Sequence, residues 1–178
     1  MKIFRELFGR QDRKDRDDRW IFSAMLIGGI LSLLASFALS VEAVELAKNP
    51  HAVLSCSLSA VVNCATVGTH PTAQVLGFPN SFIGLISSGI VITLAVAGLS
   101  RVKFPRDFML AAQLFFTAGL GFALWMFYQS FVVIQVLCPW CLLVFFSTWL
   151  IFFALTRYNI RENNLYLPNK MQKAFEQF

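Results

Sequence analysis

Four stretches of the chain, 21–41, 81–100, 108–130 and 137–156, run apolar without a single Lys, Arg, Asp or Glu. Each has the roughly 20 residues that, at about 1.5 Å of rise per residue, cross a hydrocarbon core of about 30 Å. The stretches are rich in Leu, Ile and Phe and lack the alternation of a barrel strand, and in lipid every backbone polar group must be satisfied internally. The pattern therefore predicts an all-α integral membrane protein, a bundle of four transmembrane helices. A polar N-terminal segment (1–20) precedes a membrane domain (21–156), and a polar tail (157–178) follows, expected to be either frayed or a surface helix around 171–178. Between the first and second helices a long outer loop is expected at about 45–80.

Composition agrees with this reading. The 178 residues are 57% hydrophobic and 14% charged, where soluble domains average about 45–50% and about 25%. With 19 Phe and 4 Trp, the chain carries far more apolar surface than a disordered one. The net charge of +5 suggests nucleic acid until the basic residues are located. Apart from Lys48, every Lys and Arg lies in the N-terminal segment, the tail, or the loop holding Arg101, Lys103 and Arg106. The positive-inside rule then puts both termini and that loop in the cytoplasm of a multi-pass plasma-membrane protein. The charge is topological, with some affinity for the anionic lipid bilayer, and nucleic acid is not an expected partner. The first apolar run is too long for a signal peptide, and its leader carries Asp12, Asp15, Asp17 and Asp18, so a retained anchor is expected.

This topology sends all four cysteines outward. Cys56 and Cys64 lie in the long loop, and Cys138-Pro139-Trp140-Cys141 opens the fourth helix. An exported compartment permits disulfides. In the second pair Pro139 suits the first helical position, which puts Cys138 at the N-cap and Cys141 on the same face one turn nearer the lipid. A helix N-terminus stabilises a thiolate, and such pairs can lower a thiol pKa from about 8.5 to roughly 3.5–7.5. On a continuous helix Cys56 and Cys64 would stand about 12 Å apart along the axis, beyond the roughly 7 Å that a disulfide spans, so if they pair, the chain turns between them. A structural staple there would contribute roughly 2.6 kcal/mol. Zinc is disfavoured, because no His or acidic residue stands at ligand spacing, and no metal is expected.

The loop pair, the run Gly77-Phe78-Pro79-Asn80-Ser81-Phe82-Ile83-Gly84 leading into the second helix, and the Cys-Pro-Trp-Cys at the fourth occur in an order that resembles the vitamin K epoxide reductase family. The likeness is to its bacterial members and covers roughly residues 20–156. The resemblance implies a four-helix bundle around a membrane quinone, menaquinone or ubiquinone, and a thiol oxidase activity that supports disulfide formation in exported proteins. Electrons would pass from a reduced thioredoxin-like or DsbA-like exported protein to Cys56/Cys64. A Cys64–Cys138 disulfide would carry them to Cys138/Cys141, and Cys141 would act on the quinone. Asn80 matches the family's quinone-binding Asn. Two departures stand out: Thr69 and His70 fall where relatives often carry Ser, and Phe145 falls where some place a Tyr that contacts the quinone. Bacterial relatives often continue into a fifth helix and a thioredoxin-like domain; neither is present here, so the thiol partner is expected to be a separate protein.

The residues allow other roles. Asn80 precedes a helix and can cap it. His70 can tune a thiolate or take a proton, or be a solvated loop residue, and His51 has less claim. Gly28, Gly29, Gly119 and Gly121 suit close helix approach. The alternatives in function are a DsbB-type oxidase, in which the two cysteine pairs stand in the opposite order, and a non-enzymatic scaffold stapled by disulfides. A transporter is disfavoured, since the four stretches carry no ionisable residue.

Overall fold

The computed structural model describes residues 2–49, 52, 54, 56–57, 59 and 61–165, with backbone only for 2–14. The tail segment 171–178 and His51 lie outside the described residues. Four long helices run along the chain: α1 (Lys2–Lys48), α3 (Ser81–Leu99), α4 (Arg106–Tyr128) and α5 (Pro139–Arg161). Each is long and apolar enough to cross a membrane. The short α2 (Cys64–Thr69) and a 3₁₀ turn (Pro71–Gln74) lie between α1 and α3, and a π-helical turn (Gln129–Ile134) extends α4.

Helix α1 is the centre of the bundle, packed against α3 and α5, while α4 packs on α5. Met25, Val91, Met109 and Leu155 are fully buried where these helices meet. The outward faces stay apolar: Ile86, Leu114, Phe146 and Phe37 are each at least 60% exposed. In water that surface would drive association; in a bilayer it meets lipid.

Small residues set the spacing of α1. A β-carbon on Gly28 would lie 2.9 Å from Ile151 Cγ1, and one on Gly29 would lie 2.7 Å from Val91 Cγ1. Both glycines therefore permit the close approach expected of them. Gly119 and Gly121 do not share that role, since a β-carbon there would meet nothing within 4 Å. Their faces of α4 are open.

Charged groups collect at one end of the bundle. Arg101 lies 3.6 Å from Asp15, and Arg161 pairs with Asp18. The Arg106 guanidinium donates to the backbone oxygen of Asn163 at 2.6 Å. Asp15 and Asp18 of the leader thus have basic partners from the α3–α4 loop and the end of α5. Beside them a fully buried Asn159 donates to Gln113 Oε1 at 2.9 Å and accepts from Asn164 Nδ2 at 2.9 Å. This network satisfies amides that would be costly left alone.

The opposite end differs from expectation. The first apolar run was expected to stop at 41, yet α1 continues through Glu42 to Lys48, and Glu42 is buried. Leu39, Glu42 and Leu46 stand three and four residues apart on one face, and both leucines pack into the cluster around the cysteines. Within the expected outer loop at 45–80, the end of α1, the short α2 and the 3₁₀ turn take up part of the connection between α1 and α3.

Candidate functional site

Two backbone hydrogen bonds build the site. Leu137 N–H donates to Val61 O at 2.8 Å, and Asn63 N–H donates to Leu137 O at 3.1 Å, pairing Val62 with Leu137 in a short parallel bridge. The next residues on the two strands of chain are Cys64, which begins α2, and Cys138, which precedes α5. Asn63 caps α2, its side chain accepting from Thr66 N–H at 3.2 Å. Cys138 caps α5 with Pro139 in the first turn, as its motif predicts. The two sulfurs come to 3.2 Å.

Cys64 is also joined to Cys56 in a disulfide with Cα atoms 5.7 Å apart. The chain turns between them, as their spacing requires. Cys138 and Cys141 are free thiols. Cys141 N–H points at Cys138 Sγ, 3.4 Å away. A hydrogen bond from the Cys141 side chain, helped by the backbone N–H groups of Cys141 and Trp140, lowers the Cys138 thiol pKa against the upward push of burial and of Glu42. Leu54, Val67, Ile134 and Trp140 enclose the sulfurs in a small apolar cluster.

Behind the cysteines lies a cavity of about 550 Å³ among α1, α3, α4 and α5. Cys138, Cys141 and Asn80 line it together with Phe116, Phe127, Phe145 and Leu142. Its wall is largely apolar, with few polar groups, as in a site for a ring-bearing apolar ligand. Phe145 stacks on Phe127 with centroids 4.8 Å apart.

Asn80 stands at the position before α3 but makes no side-chain cap there. Its amide instead donates to Thr72 O at 2.7 Å and accepts from Val75 N–H at 3.3 Å, tying the preceding turn to the helix. The amide nitrogen also lies 3.6 Å from Met126 Sδ, a weak acceptor. Thr69 and His70 stand outside the cavity lining. The Thr69 hydroxyl donates back to Ala65 O at 2.8 Å, and the His70 ring lies 2.8 Å from Thr72 Oγ1.

One member of the site was missed from sequence. Both carboxyl oxygens of Glu42 lie 3.2 Å from Cys56 Sγ, and Glu42, Cys56 and Cys64 present donor atoms within 4.8 Å of one another. The signal was the three-and-four spacing of Leu39, Glu42 and Leu46, which places the acid on the buried face just past the last apolar residue.

The model of the Vitamin K epoxide reductase family matches residues 23–156. This chain belongs to the vitamin K epoxide reductase family. The match reaches into all four long helices and includes all four cysteines, so the resemblance read from the motifs holds. No individual curated protein matches the sequence. Family membership makes this a multi-pass membrane thiol-disulfide oxidoreductase, and the two cysteine pairs sit close enough for exchange.

Proposed function

We propose that the protein is a thiol:quinone oxidoreductase that oxidises an exported thioredoxin-like protein and passes the electrons to a membrane quinone. The observation that carries the proposal is the row Cys56–Cys64···Cys138, with Cys141 beside it on the wall of an apolar cavity. The partner's thiolate attacks the Cys56–Cys64 disulfide and leaves oxidised. The reduced loop pair then exchanges with Cys138–Cys141 through a Cys64–Cys138 disulfide. The low thiol pKa of Cys138 makes it a good leaving group in that exchange.

The cavity fits a quinone head group in size and polarity. A quinone held there supplies an acceptor for two electrons and two protons. Cys141 stands at the wall to deliver the electrons. The amide hydrogen of Asn80 near Met126 is the one available to a quinone oxygen, since the other is engaged by Thr72 O. Phe145 and Phe127 flank the ring. With Phe145 in place of a Tyr, no phenol binds the quinone from that position. Thr69 and His70 act from outside the lining, in shaping the turn that Asn80 ties down. By the positive-inside rule the chain segments 1–20 and 157–178 lie on the cytoplasmic side, and the cysteines face outward.

The test uses purified protein with a reduced thioredoxin-like substrate and a menaquinone or ubiquinone analogue, following quinol formation. Wild type turns over, and each of the four single Cys→Ser variants stays folded and loses turnover. A Cys141→Ser variant that still produced quinol would overturn the proposal. A scaffold would lose only stability, and the family match together with the cysteine order favours this reading over a DsbB-type chain.

A further inference from the structure

Glu42 has no part in the relay as drawn, yet it is buried, with both oxygens 3.2 Å from Cys56 Sγ. Resting on the function proposed above, we infer that Glu42 is a catalytic residue, the proton acceptor that activates Cys56 to resolve the Cys64–Cys138 disulfide. In that step the Cys56 thiol gives its proton to the Glu42 carboxylate, and its sulfur attacks Cys64. The Cys56–Cys64 bond forms, the Cys64–Cys138 bond breaks, and the electron pair leaves on Cys138 as thiolate. The exchange is redox-neutral and needs no outside oxidant.

The structure has the geometry of the product of this step. Cys56–Cys64 is closed, Cys138 is free and still 3.2 Å from Cys64, and Glu42 is within reach of Cys56. Once the disulfide has closed, Cys56 has no hydrogen left to donate, yet both carboxyl oxygens of Glu42 still lie 3.2 Å from its sulfur. The thiolate is the nucleophile in exchange, and Cys56 is buried, so the neighbouring carboxylate is placed to receive the proton where solvent has little access.

The sulfurs of Cys56 and Cys64 lie within a few ångströms of Glu42, and Cys138, at the N-cap of α5, is within reach of its charge. On its own helix Glu45 and Lys48 point to the exposed side.

The test is a single exchange inside the full-length protein, with neither quinone nor partner present. Fully reduced protein receives one equivalent of diamide, is quenched in acid and alkylated, and its disulfides are assigned by mass spectrometry over time. In wild type the Cys64–Cys138 disulfide is fleeting. In Glu42→Gln it accumulates near neutral pH, with resolution slowed about 100-fold. The gap closes above the ordinary thiol pKa of about 8.5, where Cys56 ionises unaided. Equal resolution in both proteins at every pH, or slowing by the same factor at every pH, overturns the inference. Should Glu42→Gln not fold, Glu42→Asp decides instead: slowing that recovers at high pH supports the role, and wild-type kinetics refute it. A wild type that completes this exchange but forms no quinol contradicts the proposed function alone, and the pH profile still decides for Glu42.

Discussion

The sulfurs of Cys64 and Cys138, separated by 74 residues of chain, lie 3.2 Å apart. Neither helix alone could hold them so. Their contact depends on the backbone bridge between Val62 and Leu137, which aligns the residue before α2 with the residue before α5. The loop pair and the helix pair therefore meet through backbone hydrogen bonds that do not depend on side-chain identity, and the cysteines supply the chemistry.

Cys138 titrates below the ordinary thiol value of about 8.5, because hydrogen bonding from Cys141 outweighs its burial. A depressed folded-state pKa adds stability that is present above the unfolded value and lost as the pH falls through the folded one. Cys141→Ala removes the leading donor, so the Cys138 titration moves upward. Thiolate ultraviolet absorbance, read with the Cys56–Cys64 disulfide intact, measures it; an unmoved titration would contradict the assignment.

Gly28→Ala puts a β-carbon 2.9 Å from Ile151 Cγ1 and 3.3 Å from the Ser147 backbone oxygen. The side chain can yield and the backbone cannot, so the expected cost is about 1–3 kcal/mol. Gly119→Ala meets nothing and gains up to about 1 kcal/mol of helix propensity. Thermal denaturation in detergent should lower the first midpoint and leave the second equal or higher.

Asn63→Ala removes the cap of α2, at about 1 kcal/mol, close to a fivefold shift in a local equilibrium. It also removes the acceptor for the Ser57 hydroxyl at 3.0 Å. Since α2 begins at Cys64, the variant should form the Cys64–Cys138 disulfide several-fold more slowly when Cys56 and Cys141 are both replaced by Ser. Mass spectrometry of the oxidised protein reads that rate.

Asn80→Ala deletes the donor proposed for the quinone and the ties to Thr72 and Val75. A neutral hydrogen bond is worth about 0.5–1.5 kcal/mol, so the KM for the quinone analogue should rise up to about tenfold. Reduction of the Cys56–Cys64 disulfide by the thiol partner should be unchanged. A KM that stayed put while stability fell would assign Asn80 to the turn alone.

The four spans were legible because uninterrupted apolar runs have one outcome in lipid, and Pro139 marked the start of α5 to the residue. Cys138 as N-cap followed from the same proline. The end of α1 was not legible: a charged residue reads as the edge of a span, and only the packing of Leu39 and Leu46 on the cysteine cluster explains why the helix carries Glu42 inward. Asn80 was read as a helix cap or a ligand, but its partners Thr72 and Val75 lie before it in a turn whose shape no periodicity encodes. Gly28 and Gly119 look alike in sequence; α5 lies against the first and open space against the second. The Cys64–Cys138 contact came from family likeness, since the pairing of Val62 with Leu137 spans too much chain to be seen in local pattern.

The order in which the disulfides form is the most direct measurement. Fully reduced wild-type protein is mixed with one equivalent of a quinone analogue, and its disulfides are trapped and mapped over time. A relay ending at the cavity predicts Cys138–Cys141 first, then Cys64–Cys138, then Cys56–Cys64, with one quinol formed per closed loop pair. Formation of Cys56–Cys64 without either earlier species, or undiminished formation in Cys141→Ser, would contradict it.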